Sequence, residues 1–186
     1  GNIPNSLLKN NGDGTFTDVT IIANIFSQYP TQTASWGDYN NDGWIDLFIG
    51  NESSNKSMNQ SELYHNNGDG TFTEISKNLG LNISGFIKGA VWGDINNDGN
   101  IDLYISRLGQ INLLFVNEGK EKSWKFKERS ANAGVQEPIN SFPAWFFDFN
   151  NDGWQDIWVS GYDNSSGHVA KDYLGIEHKG ESPRLY

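Results

Sequence analysis

Three times in this chain a nine-residue pattern, D-x-N-x-D-G-x-x-D, crowds three carboxylates into one short stretch. A folded chain must neutralise that charge. Asp38, Asn40, Asp42, Gly43 and Asp46 return as Asp94, Asn96, Asp98, Gly99 and Asp102, and again as Asp148, Asn150, Asp152, Gly153 and Asp156. Alternate residues at positions 1, 3 and 5 can turn their oxygens inward, the glycine at position 6 allows the sharp bend that keeps them converging, and position 9 closes the cage. Carboxylates so close repel by on the order of a few kcal/mol per pair at an effective dielectric of about 20, and a hard divalent cation removes the strain. Calcium fits best, because it accepts roughly six to eight oxygens in flexible geometry, whereas magnesium demands a near-ideal octahedron and soft metals want His or Cys. Three calcium sites are expected.

The pattern overlaps the EF-hand loop, which would need a bidentate Glu at position 12 and a helix on either side. Position 12 is Ile49, Ile105 and Val159, within IDLFIG, IDLYIS and QDIWVS. Such β-branched and aromatic runs read as buried strands, so each loop joins strand to strand. An Asx-rich turn without metal would explain one copy. Three copies with the same five positions kept favour the metal loop.

The spacing of the copies sets the architecture. The loops start at Asp38, Asp94 and Asp148, steps of 56 and 54 residues, and a second motif, NNGDGTF from Asn10 to Phe16, returns at Asn66 to Phe72, also 56 later. A period of that size indicates stacked repeats. One period reads as four short strands: A near Thr33 to Tyr39, B from Ile45 to Asn51, C from Glu62 to Asn66 and D from Thr71 to Ile75. Asn67-Gly68 and Asp69-Gly70 tolerate positive φ, so NNGDGTF is read as the C–D hairpin in preference to a second metal loop. The third copy, NEGKEKSWKF from Asn117 to Phe126, keeps both strands and lengthens the turn. Ser76 to Gly85 and Ser130 to Asn140 are connectors. Four antiparallel strands per period, with strand B apolar on both faces, describe blades packed face to face, an all-β propeller. The units are a C–D hairpin over 6–20, blades over 33–75 and 88–130, and a partial blade over 143–186. Trp36, Trp92 and Trp145 recur before the acidic loops and are read as packing between blades rather than as a ligand platform.

Composition agrees. The 186 residues, 36% hydrophobic and 13% aromatic, can form a sizeable core. Net charge is −10, nine of the acids are the loop aspartates, and three calcium ions would bring the balance to −4. The acidity is explained by cation sites and argues against nucleic acid as a partner. There is no cysteine, hence no disulfide or thiolate site. No apolar run approaches the roughly 18 residues of a membrane span, and GNIPNSLLKN does not read as a signal peptide.

WGDYNNDGWIDLFIG, WGDINNDGNIDLYIS and FFDFNNDGWQDIWVS, linked by LYHNNGDGTFTEIS, resemble the FG-GAP or VCBS-type repeats of integrin-like β-propellers, in particular the group that includes cartilage acidic protein. The resemblance covers residues 6 to 160. It implies extracellular, cell-surface or periplasmic propellers of seven blades, with a calcium loop between the first two strands of a blade, used for adhesion or as interaction scaffolds. Carried over, the ligands are the nine Asp and three Asn side chains plus the position 7 carbonyls of Trp44, Asn100 and Trp154. The chain departs from the pattern at Phe146-Phe147, where the other copies have Trp-Gly, and three repeats are fewer than the full ring.

An enzyme would need a constellation apart from the repeat, and aspartates occupied by cation cannot serve as acid or base. His65, His168 and His178 occupy non-equivalent positions and read as surface or turn residues. The tail from Gly161 to Tyr186, with Tyr162, Asp163, His168, Lys171, Asp172 and Tyr173, reads as a loop insertion. The leading expectation is thus a non-enzymatic calcium-binding scaffold with a protein or glycan partner. The rival is a carbohydrate-binding or carbohydrate-active propeller whose site lies in missing repeats or in that tail. The final PRLY resembles the start of another strand C, equivalent to Glu62-Leu63-Tyr64, so the natural sequence is expected to continue. Closure could come from a homodimer, in which the N-terminal C–D hairpin completes the last blade of a second copy as a six-bladed ring, or from an arc capped by its neighbours. The ring is the preferred expectation, with PRLY as its competitor.

Overall fold

A computed structural model describes residues 4–54, 57–162, 166–177 and 180–186. Among these the chain is all-β, in four antiparallel sheets. β1 (Leu8–Asn10) and β2 (Phe16–Asp18) form a hairpin. β3 (Thr31–Gly37), β4 (Asp46–Asn51), β5 (Glu62–Asn66) and β6 (Phe72–Glu74) form the first blade in simple meander order. The second blade repeats it with β7 (Ile87–Gly93), β8 (Asp102–Arg107), β9 (Leu113–Asn117) and β10 (Phe126–Glu128). The third has β11 (Ser141–Phe147), β12 (Asp156–Gly161) and β13 (Arg184–Leu185).

The connectors each contain one helical turn, α1 (Ser76–Leu79) and α2 (Ser130–Ala133). Their first serines are structural: the Ser76 hydroxyl accepts the Leu63 amide at 2.6 Å and the Ser130 hydroxyl that of Leu114 at 2.8 Å. The tail expected as a loop insertion carries instead a two-turn helix, α3 (Ser166–Tyr173). No helix among the described residues is long and apolar enough to cross a membrane.

Strand B explains why the blades stack. Side chains alternate between the faces of a sheet, and in β4 Leu47 and Ile49 join a core with Ala23, Ile25, Tyr64 and Phe72 on the hairpin side, while Phe48 joins the core shared with the second blade. In β8 Leu103 and Ile105 face back into that shared core and Tyr104 faces forward to Ala144, Ile157 and Val159. All six residues of β4 and of β8 are buried. An apolar strand with no polar face is therefore a strand with a neighbour on each side.

The neighbouring A strands meet through an aromatic ring laid on a glycine. A Cβ at Gly37 would stand 2.8 Å from the Trp92 ring and 2.7 Å from Ile101, and one at Gly93 would stand 2.5 Å from the Phe146 ring. Trp92 also donates from Nε1 to the Ser35 carbonyl at 3.4 Å and meets Phe48 edge-on at 6.4 Å. The expected role of tryptophan between blades holds for Trp92, but Trp145 needs correction. The pairings Trp36 with Leu47, Trp92 with Leu103 and Phe146 with Ile157 show that Phe146 occupies the equivalent place. One residue along a strand reverses the face, so Trp145 points the other way, 46% exposed, with its ring 6.1 Å from that of Trp158.

The final residues take the strand C position within their own chain. Leu185 pairs with Trp158 and Arg184 with Val159, as Leu63 pairs with Phe48 and Glu62 with Ile49. The register read from PRLY is the register found.

Candidate functional site

The three acidic loops fold in one way. In the first, Asn41 and Gly43 adopt φ of 54° and 87°, the left-handed region that Asn and Gly enter at least cost. That double bend turns the backbone amides inward. The Asp38 carboxylate accepts the Asp42 amide at 3.1 Å and the Gly43 amide at 2.9 Å, and Asp42 accepts the Trp44 amide at 2.8 Å and the Asn40 side-chain amide at 2.8 Å. The second loop repeats this with Asp94 accepting Asp98 and Gly99 (3.2 and 2.8 Å) and Asp98 accepting Asn100 and Asn96 (2.8 and 2.9 Å). In the third, Asp148 accepts Asp152 and Gly153 (3.1 and 2.8 Å) and Asp152 accepts Trp154 and Asn150 (2.9 and 2.8 Å). Positions 1, 3 and 5 are thus brought together in every copy, on amides supplied by the loop itself.

Position 9 is placed differently. Asp46 and Asp102 are fully buried at the start of strand B. One oxygen accepts the amide of loop position 2, from Tyr39 at 3.2 Å, Ile95 at 3.0 Å and, in the third copy, Phe149 at 2.7 Å to Asp156. The other oxygen accepts a strand C amide, Asn66 at 2.8 Å for Asp46 and Asn117 at 2.8 Å for Asp102. Among the described residues no group of three or more His, Asp or Glu side chains is gathered as a metal cluster. The ninth aspartate anchors loop to sheet, and its remaining lone pairs are what it has to offer a cation.

Burial governs the electrostatics. Desolvation pushes Asp102 up to about 6, opposed by its two backbone amides. It also raises Asp46, where the Asn66 and Tyr39 amides and His65 pull the other way. The Tyr39 phenol is pushed up to about 12, by burial first and then by the carboxylates of Asp46, Asp42 and Asp38. Exposed Asp152 is held below the ordinary carboxylate range by the Trp154 amide and Asn150. The donor set is all hard oxygen with no sulfur, which suits calcium.

Two partners of the site come from outside the acidic pattern. The first asparagine of the hairpin motif braces it: Asn66 gives its backbone amide to Asp46 and its side chain to the Ile45 carbonyl at 3.0 Å, and Asn117 gives its amide to Asp102. NNGDGTF is a hairpin as read, closed by the Asn67 amide on the Thr71 carbonyl at 3.0 Å, but it also braces the acidic loop. The Trp44 side chain lies over its turn, since a Cβ at Gly68 would stand 2.9 Å from the indole, and a Cβ at Gly119 would stand 3.2 Å from Asn100 Nδ2. The second partner is His65. Expected as a surface or turn residue, it is half-buried with Nδ1 3.1 Å from Asp46 Oδ1 and its ring edge-on to Tyr39. Its spacing in the sequence carried no such signal.

Tyr162 stacks on Phe142 at 5.3 Å, and Tyr173 is 94% exposed. Asp163 and His178 lie outside the described residues.

Comparison with known families finds a match. The model of the FG-GAP-like repeat matches residues 2–49 and 38–105, which together span more than half of the chain. The matches end at Ile49 and Ile105, equivalent points in strand B of the first two blades. No curated protein matches the chain.

Proposed function

The chain belongs to the FG-GAP-like repeat family, and on that premise we propose that it is a non-enzymatic calcium-binding β-propeller module of a secreted or surface protein, serving adhesion or protein or glycan interaction. One observation carries the reading: the same loop, with the same hydrogen bonds to the same three kinds of oxygen donor, is built three times at equivalent ends of three blades. Asp38, Asn40, Asp42 and Asp46 with the Trp44 carbonyl would hold the first ion. Asp94, Asn96, Asp98 and Asp102 with the Asn100 carbonyl would hold the second, and Asp148, Asn150, Asp152 and Asp156 with the Trp154 carbonyl the third. Calcium supplies the positive charge that relieves carboxylate repulsion and ties the A–B turn to strand B.

The proposed setting is extracellular, cell-surface or periplasmic, where calcium is abundant enough to fill sites of modest affinity. Extracellular modules bind calcium with dissociation constants of about 0.1 to 1 mM, so at about 1 mM calcium each site adds roughly 0.4 to 1.4 kcal/mol. At sub-micromolar calcium the contribution vanishes. The test is thermal unfolding with and without chelator. Calcium is expected to raise the melting temperature, and Asp42→Ala to lose one site's share. A melting temperature unmoved by chelator contradicts the proposal.

A further inference from the structure

We propose that the three loops bind calcium as a coupled series, with the asparagine at position 4 of one loop positioning the aspartate at position 5 of the next. The inference rests on the calcium reading above and adds no site to it.

Asn41 Nδ2 donates to the Gly99 carbonyl at 2.9 Å and lies 3.2 Å from Asn100 Oδ1. The Gly99 carbonyl and the Asn100 amide N–H belong to one peptide group, and that N–H donates to Asp98 Oδ1 at 2.8 Å. A side-chain amide of the first loop and a carboxylate of the second therefore sit at opposite ends of a single peptide dipole, and each polarises it for the other. The arrangement repeats one blade on: Asn97 Nδ2 donates to the Gly153 carbonyl at 2.9 Å, and the Trp154 amide donates to Asp152 Oδ1 at 2.9 Å. A second link joins the first pair, because the Asn117 side chain donates to the Tyr39 carbonyl at 2.8 Å while its backbone amide holds Asp102.

Residue 4 cannot move freely once its loop is ordered. It stands between the donors at positions 3 and 5 with its backbone in the left-handed region, at φ of 54°, 55° and 59° for Asn41, Asn97 and Asn151. An ion that gathers Asn40 and Asp42 immobilises Asn41, which then holds the peptide that orients Asp98. The second ion meets a loop already ordered and binds more tightly, and by linkage the second ion tightens the first equally. Asn151 has the same backbone but no further acidic loop beyond it among the described residues, so it is an internal control.

Glycine accepts the same φ and removes the side-chain amide, and because the added backbone freedom is common to all three variants, the test compares Asn41→Gly, Asn97→Gly and Asn151→Gly by calorimetric titration with calcium. The parent is expected to bind cooperatively. Asn41→Gly and Asn97→Gly should each lose steepness and weaken overall calcium binding by roughly threefold to tenfold, the share of one hydrogen bond. Asn151→Gly should follow the parent. In chelator, amide exchange should quicken at Asn100 in Asn41→Gly and at Trp154 in Asn97→Gly, with core amides such as Leu103 unchanged, which shows that the variants are folded. Calcium binding of equal steepness in all four proteins, or unaltered exchange at Asn100 and Trp154, overturns the coupling and leaves the calcium reading standing. A parent that binds no calcium overturns both.

Discussion

The second and third blades carry the same acidic loop and differ in what lies on their faces. The second is covered on both: Tyr104 is fully buried, its hydroxyl donating to the Val135 carbonyl at 2.9 Å, and Asp102 is held by amides from two elements. Among the described residues the third is covered on the side toward its neighbour and open on the other. Trp158, the equivalent of Tyr104, is half-buried beside exposed Trp145 and Leu185, and Asp156 receives the Phe149 amide with no strand C amide beside it among the described residues. The loop conformation survives this difference almost unchanged, as the matching hydrogen-bond lengths show. Local sequence thus sets the loop, whereas the strands packed around it set how deeply its ninth residue is buried.

The largest consequence concerns the strand B aromatic that faces forward. Tyr104→Ala should cost about 3 to 5 kcal/mol, as for other fully buried aromatics. Trp158→Ala, from a half-covered position, should cost clearly less. Denaturant unfolding of the two variants measures both, and equal losses would show that the third face is as well covered as the second.

A smaller effect is the pH dependence that Asp102 confers. Asp102 is pushed up to about 6 in the folded chain, above the unfolded value of about 3.9, so between those values the native state holds a proton that the unfolded state has released. Stability from this group is therefore greatest at low pH and falls as pH rises from about 4 to about 6. Unfolding in chelator across that range should show the decline, and Asp102→Asn should flatten it. A slope unchanged by Asp102→Asn would mean that burial of this carboxylate is not its source.

Much of this was legible in the sequence. Strand C of the first blade, the register of PRLY, the stacking role of Trp92 and the gathering of positions 1, 3 and 5 all follow from period-two alternation, turn chemistry and a repeat near 55 residues. What was hidden depends on contacts between repeats. That Phe146 rather than Trp145 meets Gly93 is a matter of strand face, which a single residue inverts. The bond of His65 to Asp46 and the reach of Asn41 to Gly99 join residues from different strands or blades, and no local pattern encodes them. The dual use of Asn66 had a signal, its recurrence as Asn10 and Asn117, but a hairpin alone accounted for it. The cis strand β13 also bears on closure: it fills the strand C position that a second copy's hairpin would enter, so a ring made by exchange would have to displace it.

The most direct test of the account is to count the ions. A crystal grown at saturating calcium, with anomalous scattering recorded, should show one calcium in each acidic loop, three per chain, bounded by oxygens of positions 1, 3, 5 and 9 and the position 7 carbonyl at about 2.3 to 2.6 Å. Cation-free loops under those conditions, with Asp38, Asp94 and Asp148 still closed on their own backbone amides, would contradict it.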